Sequence, residues 1–111
     1  MLNITGLNRF FFVRDFHDMR CKYDKVLSII HQQLNREPKD GDVFIVMSKD
    51  LRLVRLFSYD RRSYSMFERR FRPGYKFMQV TYNGNESIYS INWQDVILLL
   101  ESPVVKELKV K

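Results

Sequence analysis

Residues 42–59, "DVFIVMSKDLRLVRLFSY", carry the signal that decides the fold. The first seven, 42–48, form a near-continuous apolar run, the pattern of a strand covered on both faces. After "KD" the chain resumes as "LRLVRLFSY" (51–59). Three more β-prone runs follow at short intervals: "SYSMFERR" (63–70), "YKFMQVTY" (75–82) and "ESIYSI" (86–91). The separators "KD", "DRR", "RPG" and "NGN" are short enough for a run of antiparallel neighbours. The last of them, between Tyr82 and Glu86, is the strongest hairpin signal, because Asn-Gly supplies the positive φ of a type I′ turn.

Upstream, "NRFFFVRD" (8–15) reads as a first strand. Met19, Tyr23, Val26, Leu27, Ile30 and Leu34 then recur as the stripe of an amphipathic helix of about 17 residues. Asp15, His17 or Asp18 can cap that helix, and Pro38 and Gly41 end it. Downstream, "NWQDVILLLES" (92–102) reads as a short helix with Asn92 as its cap and Pro103 as its stop. The expected fold is α+β: an N-terminal strand and helix, a mostly antiparallel meander of about five strands, and a short C-terminal helix. With 111 residues, one domain (1–111) is expected.

The charge is uneven. Residues 52–76 hold eight basic side chains against Asp60 and Glu68, an excess equal to the whole chain's net +6. Seven of the eight are Arg, whose planar fork suits phosphate or carboxylate, so an anionic partner is expected, nucleic acid first. Cys21 is alone, which leaves no disulfide framework and fits a reducing compartment. No charged segment followed by an apolar stretch marks a signal peptide, and the longest apolar run, Val96–Leu100, is too short to span a bilayer. A cytoplasmic protein without membrane attachment, metal, cofactor or small-molecule substrate is expected.

Several motifs recur in a fixed order. Asp18, Met19 and Arg20 are followed by Asp24, then "EPKDG" with Pro38 and Gly41, then the strand Val43, Phe44, Ile45 and Val46. Arg55, Tyr59–Asp60, Tyr64, Arg69–Arg70 and Gly74 come next, and Trp93 precedes "LLLE" (98–101). From about residue 8 to residue 101 this order and spacing resembles the TnpB accessory proteins, the second reading frame of the IS-66 family of bacterial insertion sequences. These are distinct from the RNA-guided nucleases that share the name. The family pattern has Asp-Met-Arg-Lys, Asp-Gly-Leu, Asp-Pro-x-x-Gly, Leu-Phe-Val-Phe, a Lys-Leu-Leu strand ending in Trp-Asp-Gly, Gly-Tyr, Lys-Arg-Leu and Gly-x-Phe, then Trp before Leu-Leu-Leu-Glu-Gly. Here Arg61 and Ser63 stand where the family turn has glycine, Lys25 replaces the Gly of Asp-Gly-Leu, Cys21 replaces the Lys after the first Arg, and Ser102 replaces the last Gly. If either turn glycine served a positive φ, this chain turns differently or bears strain on the order of 1–2 kcal/mol. The resemblance implies a protein encoded beside a larger transposase and assisting DNA transposition.

Among candidate sites, Asp15, His17, Asp18 and Asp24 invite a metal or nuclease reading. Two-metal catalysis needs carboxylates converging on the ions. Asp18 and Asp24, six apart on one helix, lie roughly 240° apart around its axis, so capping and ion pairing explain them better. Arg20 and Asp24 are spaced to pair on the outside of the helix, either as a surface ion pair or as a contact for a partner. Strand alternation sends Arg69 and Arg70 to opposite faces, and roughly 25 Å separates Arg61–Arg62 at one turn from Arg72 at the next. Arg52, Arg55, Arg61, Arg62, Arg69, Arg70 and Arg72 therefore form a stripe along a DNA backbone rather than a pocket. Phe57, Tyr64, Met66, Phe67 and Phe77 are expected mostly in the core rather than stacked on bases.

Two functions follow. The first is a non-catalytic accessory protein for transposition that binds DNA at the element ends through the Arg stripe. The second is an adaptor that binds the element-encoded transposase without contacting DNA, using Arg20, Asp24 and the exposed side of "VILLLES".

Overall fold

The computed structural model describes residues 8–14, 23–35, 37–60, 62–77, 79–82, 84, 88–101 and 107–110. Strand β1 (Arg9–Val13) leads to helix α1 (Tyr23–Leu34), and β2 (Asp42–Met47), β3 (Leu53–Tyr59) and β4 (Tyr64–Arg70) follow. The chain continues through β5 (Gln79–Tyr82), β6 (Ile88–Ile91), helix α2 (Trp93–Glu101) and β7 (Glu107–Val110). The fold is α+β, with β4-β3-β2-β1-β6 as one five-stranded sheet and β5-β7 as a separate parallel pair.

The meander is real from β2 to β4, where each strand pairs antiparallel with the next. Two features depart from simple strand succession. β1 lies parallel to β2, so β1–α1–β2 is a crossover unit whose 14–41 connection is long enough to reverse the chain twice. β6 pairs antiparallel with β1 at the far edge, and β5 leaves the sheet, so the two strands flanking "NGN" do not form a hairpin with each other.

Alternation explains both faces. Phe10, Phe12, Val43, Ile45, Met47, Val54, Leu56, Tyr89 and Ile91 turn to one side, where they bury Val96, Leu99 and Leu100 of α2 together with Phe77 and Val80. Val13, Phe44, Val46, Phe57 and Tyr59 turn to the other and bury Val26 and Ile30 of α1. Every residue of β2 is buried, as the apolar run 42–48 requires of a strand between two helical layers. On the α1 side Phe11 stacks on Phe44 with centroids 5.2 Å apart, and Tyr59 meets Phe44 edge-on at 5.6 Å.

The ends of the elements have local causes. α1 stops at Asn35, whose φ of 55° is the left-handed conformation that asparagine tolerates, and whose N–H donates to the His31 carbonyl at 3.1 Å. α2 starts as expected: the Asn92 side-chain oxygen accepts the Asp95 N–H at 2.9 Å. Asp42, fully buried, anchors the start of the parallel pair. Its carboxylate accepts Arg9 Nε at 2.7 Å and the Lys39 N–H at 2.9 Å, and the Arg9 guanidinium also donates to the Asp40 carbonyl.

Candidate nucleic-acid interface

The basic segment folds as the outer edge of the sheet. β4 is the terminal strand, and six of its seven residues are exposed. Its register with β3 places Tyr64 opposite Tyr59, Met66 opposite Phe57, Glu68 opposite Arg55 and Arg70 opposite Leu53, all on the α1 side. Ser65, Phe67 and Arg69 lie opposite Ser58, Leu56 and Val54 on the α2 side. Arg69 and Arg70 thus point to opposite faces, as alternation requires.

The hairpin at one end is closed by Asp60 instead of by glycine. Its Oδ1 accepts the N–H groups of Arg62 and Ser63 at 2.8 and 2.9 Å, and its Oδ2 accepts the Ser63 hydroxyl at 3.1 Å. Those bonds, the Arg62 amide's first, hold the Asp60 carboxyl below its ordinary value. Ser63 is not among the positive-φ residues, so the turn spends no left-handed strain there. Arg62 is exposed at this tip, and Arg61 lies outside the described residues. Glu37, Pro38, Tyr59, Asp60, Arg62, Ser63 and Tyr64 line an open concavity of about 310 Å³ beside it.

At the other end, Arg72, Pro73, Gly74 and Tyr75 form a turn in which the Tyr75 N–H donates to the Arg72 carbonyl at 3.1 Å. Pro at the second position and Gly74 at φ 94° match a type II turn, and open space surrounds Gly74, so conformation rather than crowding requires glycine. Arg72, Tyr75 and Lys76 are exposed here. Arg69 lies 5.5 Å from the Phe71 ring centroid, and Phe71 packs 4.1 Å from Phe77.

The remaining candidate arginines are more constrained. Arg55 pairs with Glu68 across the two strands at 2.7 Å, which ties β4 to β3. Arg52 is half-buried and donates to the Phe71 carbonyl at 3.2 Å. Asp24 is exposed in the first turn of α1, whereas Arg20, Asp15, His17 and Asp18 lie outside the described residues. Among the described residues, no three His, Cys, Asp or Glu side chains come together to hold a metal ion. No helix among them is long and apolar enough to cross a membrane.

Two of the aromatic-run residues correct the expectation. Phe57 and Phe77 are core and Phe67 is half-buried, but Tyr64 and Met66 are each 51% exposed. The reason is layer width: the buried residues of α1 meet side chains of β1, β2 and β3, and β4 projects beyond that cover. Composition alone could not reveal this, because which strand becomes the edge depends on pairing.

The family described as IS66 Orf2-like protein matches residues 8–109. The chain belongs to that family. Its members are accessory proteins associated with transposition of an insertion sequence. No curated protein and no solved structure matches this chain.

Proposed function

We propose that this IS66 Orf2-like protein is a non-catalytic accessory factor that grips the DNA backbone at the element ends with its β4 edge and the two flanking loops. The observation that carries this reading is the row of exposed cations Arg62, Arg69, Arg70, Arg72 and Lys76 along one border of the sheet. Tyr64 to Arg70 spans about 20 Å, the axial length of roughly six phosphates on one strand of B-form DNA. Cations on both faces of the strand and at both of its ends suit a backbone that passes along the edge. Charge of this kind positions a protein without reading sequence. Arg55 is engaged by Glu68, so its part is to brace the strand rather than to meet phosphate. Arg69→Ala/Arg70→Ala/Arg72→Ala should weaken binding to duplexes of any sequence alike, measured by fluorescence anisotropy at low salt. Unchanged affinity in that variant contradicts the reading.

A second reading rests on α2, where Trp93 and Leu98 are exposed large apolar side chains. They suit an adaptor that holds the element-encoded transposase, with Asp24 of α1, across the sheet, as a separate contact. Co-purification with the transposase in the absence of DNA, abolished by Leu98→Asp but not by the triple Arg variant, supports the adaptor role.

A further inference from the structure

We propose that the concavity beside the β3–β4 hairpin takes one unstacked nucleobase, so that the protein prefers DNA ends carrying a single-stranded overhang to blunt duplex. This deepens the backbone reading above and rests on it: the cationic edge holds the strand, and the concavity holds one base of that strand. Its volume of about 310 Å³ lies at the small end of ligand sites, which run to about 1,000 Å³.

Both walls are fixed by the fold itself. Asp60 N–H donates to the Ser63 carbonyl at 3.0 Å, so Asp60 and Ser63 are a bonded pair. The next pair, Tyr59 and Tyr64, is then non-bonded, the arrangement that brings opposed side chains closest. Phe44 meets Tyr59 edge-on at 5.6 Å in the core, whereas Tyr64 lines the concavity and is half-exposed. Glu37 and Pro38 form the opposite wall. His31 holds Glu37, with 2.9 Å between Nε2 and Oε1. The Gly41 N–H donates to the Tyr59 carbonyl at 3.3 Å and the Lys39 N–H to the buried Asp42 carboxylate at 2.9 Å. The loop carrying Pro38 is thereby fastened to the end of β3.

The lining selects the occupant. Glu37 and Asp60 place two carboxylates there, which repel phosphate and accept N–H donors. Arg62 in the same lining, and Arg70 further along the same face, attract an anionic chain. Tyr64 supplies an aromatic ring on which a base can stack. A lysine or arginine from a protein partner would suit Glu37 and Tyr64 but would meet Arg62 and the row of cations beyond it. A neutral planar group with N–H donors, carried on a phosphate backbone, satisfies all three features. Cytosine has an amino group for a carboxylate to accept, whereas thymine has a carbonyl in its place, so cytosine is the better fit to Glu37.

Fluorescence anisotropy at low salt tests this with one duplex in three forms: blunt, with a short cytidine overhang, and with a thymidine overhang of the same length. The cytidine overhang should bind about tenfold tighter than the blunt duplex, the scale of one base stacked on one ring. It should bind about fivefold tighter than the thymidine overhang. Tyr64→Ala should remove the overhang advantage and leave blunt binding as it was, which also shows that the variant is folded. Tyr64→Phe, which keeps the ring, should keep the advantage. Glu37→Gln, whose amide can also donate, should narrow the difference between cytidine and thymidine. Blunt binding with no overhang advantage, an advantage that survives Tyr64→Ala, or equal binding of the two overhangs overturns this inference and leaves the backbone reading standing. No binding of any of the three forms overturns both.

Discussion

Replacing Arg9 by methionine should destabilise the protein more than replacing Asp42 by asparagine, although Arg9 is the more exposed of the two. The Arg9 side chain is 49% accessible and the Asp42 side chain 0%, with 2.7 Å between Nε and Oδ1. Asparagine keeps the shape of Asp42 and an oxygen for the Lys39 N–H, but its amide nitrogen then faces the Arg9 Nε–H, donor against donor. Asp42→Asn loses that one bond without burying an unopposed charge, and the half-hydrated guanidinium can turn to water, so the cost is about 1–2 kcal/mol. Arg9→Met instead leaves the buried carboxylate without its guanidinium. Removing one partner of a buried pair costs about 3–5 kcal/mol, and the half-hydrated state of Arg9 puts this pair near the lower end, about 3 kcal/mol. On a stability of about 5–15 kcal/mol, that is a drop in Tm of about 12 °C. Urea unfolding followed by circular dichroism gives both values from midpoints at a common slope. The pair sits at the first register position of the parallel β1–β2 ladder, so the test bears on the crossover unit itself. An asparagine variant that falls as far as the methionine variant shows that the unopposed Asp42 charge is not what sets the cost.

Leu99→Ala and Ile30→Ala should each cost about 2–5 kcal/mol, because both side chains are fully buried. They lie on opposite faces of the sheet, so the double variant should be additive within about 0.5 kcal/mol in urea melts. Gly74→Ala should cost about 1–2 kcal/mol through its φ of 94° alone, and thermal melts should show no larger loss, since open space surrounds the site. Asp60 and Asp50 both titrate below the ordinary 3.8, Asp60 through the Arg62 and Ser63 amides and Asp50 through the Ser48 hydroxyl and the Arg52 amide. A depressed carboxyl binds fewer protons folded than unfolded, so its contribution is present above about pH 4 and is lost as pH falls through the folded value. Amide signals of Arg62 and Ser63 should move together with Asp60 protonation in an NMR acid titration, at a pH below 3.8. A midpoint at the ordinary value contradicts the turn's account.

Patterns that depend on neighbours in the chain were legible, and those that depend on partners across the fold were not. The apolar run 42–48 announces a strand covered on both faces, and β2 is buried throughout. Asn92 announces the start of α2. By contrast, "RFFFV" is apolar on both faces whether its neighbour is parallel or antiparallel, so the β1–β2 pairing left no mark in the sequence. Asn-Gly at 83–84 suggests a hairpin by local turn chemistry, yet β5 pairs with β7, a strand placed beyond the expected stop at Pro103. Asp60 closes its hairpin with acceptor bonds to the Arg62 and Ser63 amides, which are visible only in three dimensions. Of the candidate site, the confinement of charge to 52–76 was legible. That Arg55 is occupied by Glu68 and that Tyr64 and Met66 stand clear of α1 depend on strand order.

Binding of the Arg-rich edge to duplexes carrying the element's ends should depend steeply on salt. Five phosphate contacts, one for each of Arg62, Arg69, Arg70, Arg72 and Lys76, give a slope of log affinity against log salt of about −4.5, a loss of roughly 500-fold between 50 and 200 mM. Removing Arg69, Arg70 and Arg72 together should reduce that slope to about −1.8. A flat salt response, or no binding at the lowest salt, contradicts an Arg-rich edge that holds DNA.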